Sequence, residues 1–285
     1  WTEYFPKGGP ARSTLGVYRM PTDTPVEINA VAYRHLDRVK VYEVIAGRAV
    51  QAGNRIYLSG VFGATPTEAL DKFEALVKSA NISLANVVFV NPYLASGTTI
   101  AELNQPYAQR FTFGDTPARA TIPVHFLPGN AKVELTGIAV ADRKDRSAVR
   151  PKNMEPSATA SPCVWAFDRG VNDTLYCSAK SGFIPGPNGG IHAESVEHQV
   201  VQSMRNLLDG LEEAGLDFSH VVASNVYVDQ LDEFARMNAV YAKYFKAAPP
   251  TRTTVAPMAP VSRQRTIDQP PPKLEEVSVV AVRRR

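Results

Sequence analysis

Apolar residues recur at helical spacing in two stretches, and each stretch predicts an amphipathic helix that packs one face on a sheet. The first helix covers residues 65–80, where Thr65 provides an N-cap and Pro66 a first-turn proline. Its apolar face consists of Leu70, Phe73, Leu76, Val77 and Ala80. The second helix runs from about residue 194 to residue 214 and ends at Gly215, a residue type that favours helix C-termini.

Short runs rich in valine and aromatic residues predict strands, which cover residues 55–59, 87–94, 175–178 and 221–228. Two further helices are predicted over residues 100–111 and 231–245, and two strands follow each of them. The order β, α, β, α, β, β therefore occurs twice. It predicts an α+β fold in which two helices cover one face of a mostly antiparallel sheet.

A short pattern of arginine, threonine and a later glutamate occurs three times. Its members are Arg12, Thr14 and Glu27, then Arg119, Thr121 and Glu134, then Arg252, Thr254 and Glu276. The separation from arginine to glutamate is fifteen residues in the first two copies and twenty-four in the third. In the third copy Glu275 competes with Glu276 as the equivalent residue. Internal repetition of this kind identifies a repeat protein.

The middle copy predicts how such residues could form a site. Side chains two apart share one face of a strand, so Arg119 and Thr121 point the same way. The Pro-Gly-Asn sequence at residues 128–130 predicts a turn, and Glu134 lies in the strand that returns from it. We therefore expect a cation, a hydroxyl and a carboxylate on neighbouring strands, which would frame a small anion. An isolated arginine–glutamate pair could instead be a structural ion pair.

The repetition divides the chain. Residues 1–36 are interpreted as the C-terminal part of a first repeat, with a helix end at residues 1–5, a strand at Arg12, a turn at Pro21–Asp23 and a strand at Glu27. Residues 37–143 form a second repeat and residues 162–285 a third. Residues 144–161 are polar, contain two prolines and show no periodicity, so they are predicted to be a linker.

A second pattern, Asn-x-x-Tyr-x-x-x-Phe, precedes the arginine in both complete copies. It comprises Asn104, Tyr107 and Phe111 in the second repeat and Asn238, Tyr241 and Phe245 in the third; Trp1 and Phe5 take the last two places in the first. Together with the Pro-Ala-Arg and Val-Glu-x-x-x-Ile-Ala-Val sequences of the second repeat, this pattern resembles the RidA family of reactive-intermediate deaminases, also called YjgF. The likeness covers nearly the whole chain outside the linker.

The resemblance implies chorismate-mutase-like α+β domains, which in this family assemble as trimers with ligand clefts between subunits. It also implies hydrolysis of 2-imino acids to 2-oxo acids and ammonia, without a metal or cofactor. In this chain three fused repeats would replace three subunits in a pseudo-trimeric barrel. We expect the first repeat to be completed by a companion polypeptide, most simply the N-terminal part of the same precursor, or by another copy of this chain.

The resemblance further implies roles for individual residues. The carboxylate-binding arginine falls on Arg12, Arg119 and Arg252, and the water-positioning glutamate on Glu27, Glu134 and Glu276. Other ligand contacts fall on Asn104, Asn238, Thr14, Thr121, Thr254, Ser59 and Gly60. In the third repeat either Ser178 or Ser181 could correspond to Ser59. Trp165 could supply the aromatic side chain that the family places before this strand, whereas the second repeat has Ala46 there.

Composition narrows the partners. With 31 basic and 28 acidic residues the net charge is +3, which does not favour binding to nucleic acid or to an anionic membrane. No apolar run approaches the roughly 18 residues that a membrane span requires. The two cysteines, Cys163 and Cys177, could pair only with each other, and no disulfide framework is evident. These features mildly favour an intracellular, reducing setting, although no compartment is specified.

Two functions follow from these patterns. The first is an imine or enamine deaminase in which arginine holds the carboxylate and glutamate positions the water, in clefts between repeats. The second is a non-catalytic protein that binds small carboxylates or mainly builds an assembly. A nuclease is a distant third because of the even charge balance. The sequence does not name the physiological substrate.

Overall fold

The computed structural model of the chain describes residues 1–6, 9–168, 172–186, 189–246, 248–264, 266 and 269–284. The second repeat contains β1 (Val39–Val44), β2 (Gly47–Ala52), β3 (Arg55–Gly63), α1 (Pro66–Ser79), β4 (Val87–Ala95), α2 (Ile100–Ala108), β5 (Ala118–Arg119), β6 (Ile122–Val124) and β7 (Val133–Val140). The third repeat contains β8 (Arg146–Val149), β9 (Cys163–Ala166), β10 (Asn172–Cys177), β11 (Lys180–Ser181), β12 (Phe183–Ile184), β13 (Ile191–His192), α3 (Val196–Glu213), β14 (Val221–Val228), α4 (Phe234–Tyr241), β15 (Thr251–Val255) and β16 (Glu275–Arg284).

Each repeat builds one sheet with the same topology. The strand order is β1-β2-β3-β7-β4-β5 in the second repeat, with β6 also on β4, and β8-β9-β10-β16-β14-β15 in the third, with β11 also on β16. All neighbours are antiparallel except β5 and β6, which run parallel to β4, and β15, which runs parallel to β14. The predicted α+β fold of repeated domains with mostly antiparallel sheets is confirmed.

The helices form where the apolar periodicity predicts them. In the second repeat, α1 begins after Thr65, whose Oγ1 accepts a hydrogen bond from the backbone N–H of Glu68 at 3.2 Å. Phe73 of α1 and Tyr107 of α2 are both fully buried in one apolar cluster with sheet residues, so the two helices cover the same face. The α3–α4 pair does the same in the third repeat. Among the described helices, none is long and apolar enough to cross a membrane.

The predicted linker contains a strand. Residues 146–149, inside the span 144–161, form β8 and pair with β9, so the third sheet begins before residue 162. The buried side chain of Arg146 explains why this polar sequence can form a strand. Its Nε donates to the carbonyl of Val87 at 2.8 Å, and its Nη1 donates to Asp115 at 2.5 Å. These contacts join the linker to the second repeat, and no hydrophobic periodicity signals them.

The first-repeat segment differs from its prediction. The turn at Pro21–Asp23 is present, but the expected strands at Arg12 and Glu27 are reduced to two isolated bridges, Gly16 to Phe126 and Arg19 to Ala256. Residues 1–5 form a single turn. In the complete repeats the corresponding strands are held by β3 and β4 or by their equivalents in the third repeat, and no such strands lie beside this segment within the described residues.

The same segment nevertheless ties the two sheets together. The backs of the sheets meet in an apolar cluster that includes Phe89 and Val140 from one sheet and Val164 and Tyr176 from the other. A second junction contains Ile122, Val124, Leu127, Tyr227 and Val255, and the first-repeat residues Leu15, Val17 and Met20 pack against it. The apolar positions of residues 15–20 are therefore covered by the contact between the second and third repeats.

A disulfide joins the two cysteines. Cys163 of β9 lies directly opposite Cys177 of β10, and the Cα atoms are 4.0 Å apart. Both side chains are buried in the apolar core of the third repeat. The sequence contains no framework pattern that indicates this bond, because the adjacency arises from strand pairing.

Candidate functional site

Three clefts repeat one arrangement of side chains, and each is named here by its arginine. The Arg12 cleft contains Arg12, Ser13, Gly60 and Glu134; the Arg119 cleft contains Arg119, Asn104, Thr121, Ser178 and Glu276; the Arg252 cleft contains Arg252, Asn238, Thr254, Phe234 and Glu27. In every case the arginine belongs to one repeat and the glutamate to the next, in cyclic order.

Arg119 is held from two sides. Its Nη2 donates to Oδ1 of Asn104 at 2.8 Å, and its guanidinium lies 4.8 Å from the centroid of the Tyr107 ring. Asn104 and Tyr107 are three apart on α2, so one helix face supplies both contacts. Burial lowers the pKa of Arg119, while the charges of Tyr107 and Glu276 oppose this shift. Its Nη1 is buried and has no hydrogen-bond partner among the described residues, which leaves a donor for a ligand.

Arg252 has the same support in the third repeat. Its Nη1 donates to Oδ1 of Asn238 at 2.6 Å, and its guanidinium lies 5.0 Å from the Tyr241 ring centroid. A second ring, that of Phe234, lies 5.5 Å from the same guanidinium. In both complete repeats, therefore, the asparagine and the tyrosine of the Asn-x-x-Tyr pattern lie against the arginine.

Arg12 is less enclosed. Its side chain is exposed and stacks on Trp1 at 4.7 Å, in the manner of Arg119 on Tyr107. Its carbonyl oxygen accepts a hydrogen bond from the N–H of Gly60 at 2.9 Å. Within the described residues no asparagine contacts Arg12, so its guanidinium lacks the helix contact that orients the other two.

The glutamate that faces each arginine comes from a different repeat, which corrects the expectation of neighbouring strands. β4 lies between β5, which carries Arg119, and β7, which carries Glu134. Glu134 instead reaches the first-repeat segment, where the Ser13 hydroxyl donates to its Oε1 at 2.7 Å. The parallel pairing of β5 with β4 is the cause, because it places Arg119 at a sheet edge that faces the third repeat.

The other two pairings complete the cycle. Burial lowers the pKa of Arg119, and the negative charge of Glu276 partly opposes that shift. The Arg119 carbonyl accepts a hydrogen bond from the N–H of Ala179 at 3.1 Å. Glu27 and Arg252 line one pocket of about 290 Å³. Arginine and glutamate thus converge only through contacts between repeats.

Backbone hydrogen bonds between the repeats decide whether Ser178 or Ser181 corresponds to Ser59. The bond from Ala179 to the Arg119 carbonyl repeats the bond from Gly60 to the Arg12 carbonyl, so Ser178 corresponds to Ser59. Ser178 Oγ also accepts from the N–H of Arg119 at 2.8 Å. In its own repeat Ser59 Oγ accepts from the N–H of Arg48 at 2.8 Å.

Pairing also distinguishes Glu276 from Glu275. Glu276 lies opposite Tyr227, as Glu134 lies opposite Tyr93 in the second repeat. Glu275 is buried on the helix side of the sheet, where Ser203 donates to it. Glu276 is therefore the equivalent of Glu134, as the sequence analysis assigned it.

The environments of the glutamates differ strongly. Glu134 is fully buried, and burial raises its pKa to about 7, although the Ser13 hydroxyl and the Thr14 N–H oppose the shift. Its Oε1 lies 1.8 Å from the position that a Cβ on Gly60 would take, so any larger residue there would displace the Glu134 carboxylate. Glu276 accepts a contact from Lys273 Nζ at 2.6 Å. Glu27 is exposed on the wall of its pocket.

Other predicted site residues divide into two groups. The hydroxyls of Thr121 and Thr254 are buried, and neither has a hydrogen-bond partner among the described residues, whereas Thr14 is exposed.

Trp165 does not join a cleft. It lies in the apolar core of the third repeat, stacks on Phe167 at 5.7 Å and lies under the Arg283 guanidinium at 4.6 Å. The Trp165 prediction is wrong because β9 turns this side chain toward the helices.

Three contacts were not predicted from the sequence: those of Ser13, Lys273 and Phe234. Phe234 stands four residues before Asn238, where the second repeat has Ile100 four residues before Asn104. Aligning the repeats one turn further upstream reveals this exchange. Lys273 follows the insertion in the third repeat, and no spacing rule predicts its contact. Across the described ranges no group of three or more His, Cys, Asp or Glu side chains is arranged as a metal site.

The fold and the clefts define a class of protein: tandem chorismate-mutase-like α+β domains with arginine–glutamate clefts at the junctions between repeats. A sequence profile of the Endoribonuclease L-PSP family, which includes the RidA proteins, matches residues 46–141 and 156–261. The two matches cover most of the second and third repeats. The chain belongs to this family.

Three curated relatives illustrate the likeness. Protein DfrA of Myxococcus xanthus is 49% identical over 57 residues, which is 20% of this chain and 44% of that protein. The chloroplastic Reactive Intermediate Deaminase A of Arabidopsis thaliana is 37% identical over 84 residues, covering 30% and 44%. The 2-iminobutanoate/2-iminopropanoate deaminase of Homo sapiens is 32% identical over 82 residues, covering 29% and 59%. The chain thus spans less than two thirds of each of these relatives.

Among solved structures, a chorismatase crystal structure superimposes with a TM-score of 0.65 at 13% identity, over 86% of this chain and 80% of that one. At this identity the match supports the shared fold, including the tandem arrangement across most of the chain. It says nothing about the reaction.

Proposed function

We propose that the protein is a RidA-like deaminase that hydrolyses 2-imino acids to 2-oxo acids and ammonia. One observation carries this proposal: an arginine fixed by a helix asparagine and an aromatic ring interacts electrostatically with a glutamate of the next repeat or lines one pocket with it. This holds for Arg119 with Glu276 and for Arg252 with Glu27. Such a pair can hold a small carboxylate and a water molecule side by side.

Arginine suits the carboxylate of the substrate. The guanidinium offers a planar fork that matches two carboxylate oxygens, and lysine cannot reproduce it. In the Arg119 cleft the unpartnered Nη1 points to this use, because Asn104 occupies only Nη2. The buried hydroxyl of Thr121, which lies between β5 and β6 two residues after Arg119, supplies a further hydrogen bond to the bound acid.

Glutamate suits the water. The glutamate carboxylate takes a proton from water as the water oxygen adds to C2 of the protonated imine, and the C=N nitrogen becomes the amino group of a carbinolamine. The glutamic acid then gives this proton to the amino group. Ammonia leaves as the hydroxyl releases its own proton to solvent and the C=O bond forms. Holding the reactants together is the main contribution expected for an already reactive imine. Proton transfer by the glutamate would add on the order of 10²–10⁴-fold.

The names of the relatives support the reaction class. Two of the relatives described above are named as deaminases, one of them for 2-iminobutanoate and 2-iminopropanoate. The aligned parts are partial, so the substrate is carried over as a proposal. We keep a small 2-imino acid as the substrate class for the Arg119 cleft.

The test uses 2-iminopropanoate generated in situ from alanine by an amino-acid oxidase with catalase. Semicarbazide traps the imine, and a deaminase lowers the yield of trapped imine as it competes with the trap. We expect the wild-type chain to lower this yield and a triple variant, Arg12→Lys, Arg119→Lys and Arg252→Lys, to leave it unchanged. If the wild-type chain has no effect at any concentration, the proposal is wrong.

Non-catalytic carboxylate binding is the second candidate, and two observations favour it for two of the clefts. Ser13 and Thr14 already engage Glu134, and Lys273 engages Glu276. A glutamate held in this way has less freedom to orient water. Binding of pyruvate without any effect on imine lifetime would select this candidate.

A further inference from the structure

We infer that the Arg252 cleft takes 2-imino acids with large apolar or aromatic side chains and therefore differs in selectivity from the Arg119 cleft. This inference rests on the proposed function, and it adds the substrate class of one cleft. The observation behind it is the exchange of Ile100 for Phe234 at equivalent helix positions, together with the pocket that Phe234 lines.

The pocket has room for a bulky side chain. Its volume of about 290 Å³ is just below the roughly 300 Å³ at which the usual range of small-molecule sites begins. One part of its wall is apolar and is formed by Met20, Pro21, Val26 and Phe234. The remaining lining residues are Arg252, Thr254, Glu27, Thr22 and Thr24. An acid with an apolar tail could therefore place its two ends against different walls.

Two aromatic rings lie close to Arg252. Its guanidinium is 5.0 Å from the Tyr241 centroid and 5.5 Å from the Phe234 centroid. Asn238 takes up Nη1, and arginine has further N–H donors for a carboxylate. In the part of the second repeat that the structure describes, the Tyr107 ring is the one aromatic ring over Arg119, and Ile100 stands where the third repeat has Phe234. The aromatic wall is thus specific to the Arg252 cleft.

The polar end of the pocket is prepared for a ligand. Thr254 is 5% exposed, and its hydroxyl has no hydrogen-bond partner among the described residues although it lines the pocket. Thr254 lies two residues after Arg252 on β15, so both side chains lie on one face of the strand. A carboxylate held by Arg252 would satisfy this hydroxyl, and the adjacent side chain would extend toward Phe234.

In the Arg252 cleft the Glu27 carboxylate is more accessible to a ligand than Glu134 and Glu276 are in the other two clefts. It is exposed, and no salt bridge to it occurs among the described residues, whereas Lys273 binds Glu276 and Ser13 binds Glu134. An aromatic substrate ring gains affinity from a well-placed aromatic partner beyond what its buried area provides. The Arg252 cleft therefore combines an unengaged carboxylate with the apolar wall that favours larger substrates.

The experiment compares phenylpyruvate with pyruvate as product probes, by isothermal titration calorimetry. We expect wild-type protein to bind phenylpyruvate roughly tenfold more tightly than pyruvate at one site. Phe234→Ile, which copies the second repeat, should remove most of this preference, and Arg252→Lys should abolish that site. Phe113→Ile, the same exchange at an exposed position outside the clefts, should leave the preference unchanged.

Circular dichroism of each variant checks that the fold is retained. Retained preference in folded Phe234→Ile, or equal affinity for the two acids in the wild type, would overturn the inference. The assay with 2-iminopropanoate tests the proposed reaction independently of these binding measurements. If the protein hydrolyses the imine but shows no preference for phenylpyruvate, the proposed selectivity alone is overturned. If it prefers phenylpyruvate but hydrolyses no imine, the proposed reaction is overturned and the ligand class of the pocket is supported.

Discussion

Arg119 shares its cleft with Glu276 of the next repeat, and Glu134, which follows Arg119 by fifteen residues in the chain, belongs to a different cleft. A sequence motif that looks like one site therefore supplies two. Each junction between repeats joins an arginine to a glutamate that lies far away in the sequence. A change in either residue should consequently affect a single junction, and the predictions below use this separation.

Replacing Arg119 with lysine should remove one carboxylate site and preserve the fold. The charge remains, but the planar fork that binds Asn104 and leaves Nη1 for a ligand is lost. We expect pyruvate affinity at this site to fall about 10–100-fold, since charge-assisted hydrogen bonds contribute about 1.5–3 kcal/mol. Calorimetry measures the loss. Arg110→Lys, at a surface arginine that pairs with Asp71, is the matched control. Unchanged pyruvate binding in the Arg119 variant would contradict the assignment.

Replacing Glu276 should lower turnover, whereas replacing its neighbour Glu275 should not. In a background with Arg12→Lys and Arg252→Lys, only the Arg119 cleft remains for turnover. Glu276→Gln should then lower turnover by about 10²–10⁴-fold, the usual contribution of a general base. Glu275→Gln should leave it within about twofold, since Glu275 faces Ser203 on the helix side. Initial rates of imine hydrolysis measure both. Equal losses would show that the sheet register does not separate the two carboxylates.

The buried Glu134 should make stability depend on pH. Its pKa is about 7 in the folded chain, against an ordinary carboxyl value near 4.5. The raised value means that its contribution is fully present below about pH 4.5 and is lost as the pH rises through 7. The loss is about 3 kcal/mol, at 1.36 kcal/mol for each pKa unit. Glu134→Gln should remove this component of the pH dependence.

Urea unfolding at pH 5 and pH 8 measures that component. Glu275, whose pKa burial raises to about 8, contributes a similar dependence that should persist in Glu134→Gln. Glu213→Gln, at an exposed helix end, should reproduce the wild-type dependence. If the wild-type and Glu134→Gln curves have the same slope between pH 5 and pH 8, then Glu134 ionises normally and the environment described above is incorrect.

Residues 25–34 should exchange their amide hydrogens rapidly. Among the described residues they make no backbone–backbone hydrogen bond, and Val26, Ile28 and Val31 are 67%, 73% and 71% exposed. The equivalent strand β7 is paired on both sides and should be strongly protected. Hydrogen–deuterium exchange by mass spectrometry compares the two segments. Protection of residues 25–34 in purified native protein would show that another polypeptide pairs with this segment, which is the companion expected from the repeat pattern.

The sequence by itself determined the repeats, the helices and the contacts within each repeat. Helical periodicity placed α1 and α3, because an amphipathic face depends on local spacing. The Asn-x-x-Tyr pattern, copied between the repeats, singled out Asn104 and Asn238, and their side chains accept hydrogen bonds from Arg119 and Arg252. These features depend on residues close together in the chain or on motifs copied between repeats.

Only the tertiary structure decided which glutamate faces which arginine. The parallel pairing of β5 with β4 moves Arg119 to the sheet edge and sends Glu134 to the opposite junction, and no local pattern encodes this choice. Sheet pairing and contacts between repeats also decide three other features. These are the core position of Trp165, the disulfide between Cys163 and Cys177, and the pocket beside Phe234. The physical reason is common to all of them: spacing along a chain fixes the face of a strand but not its neighbour.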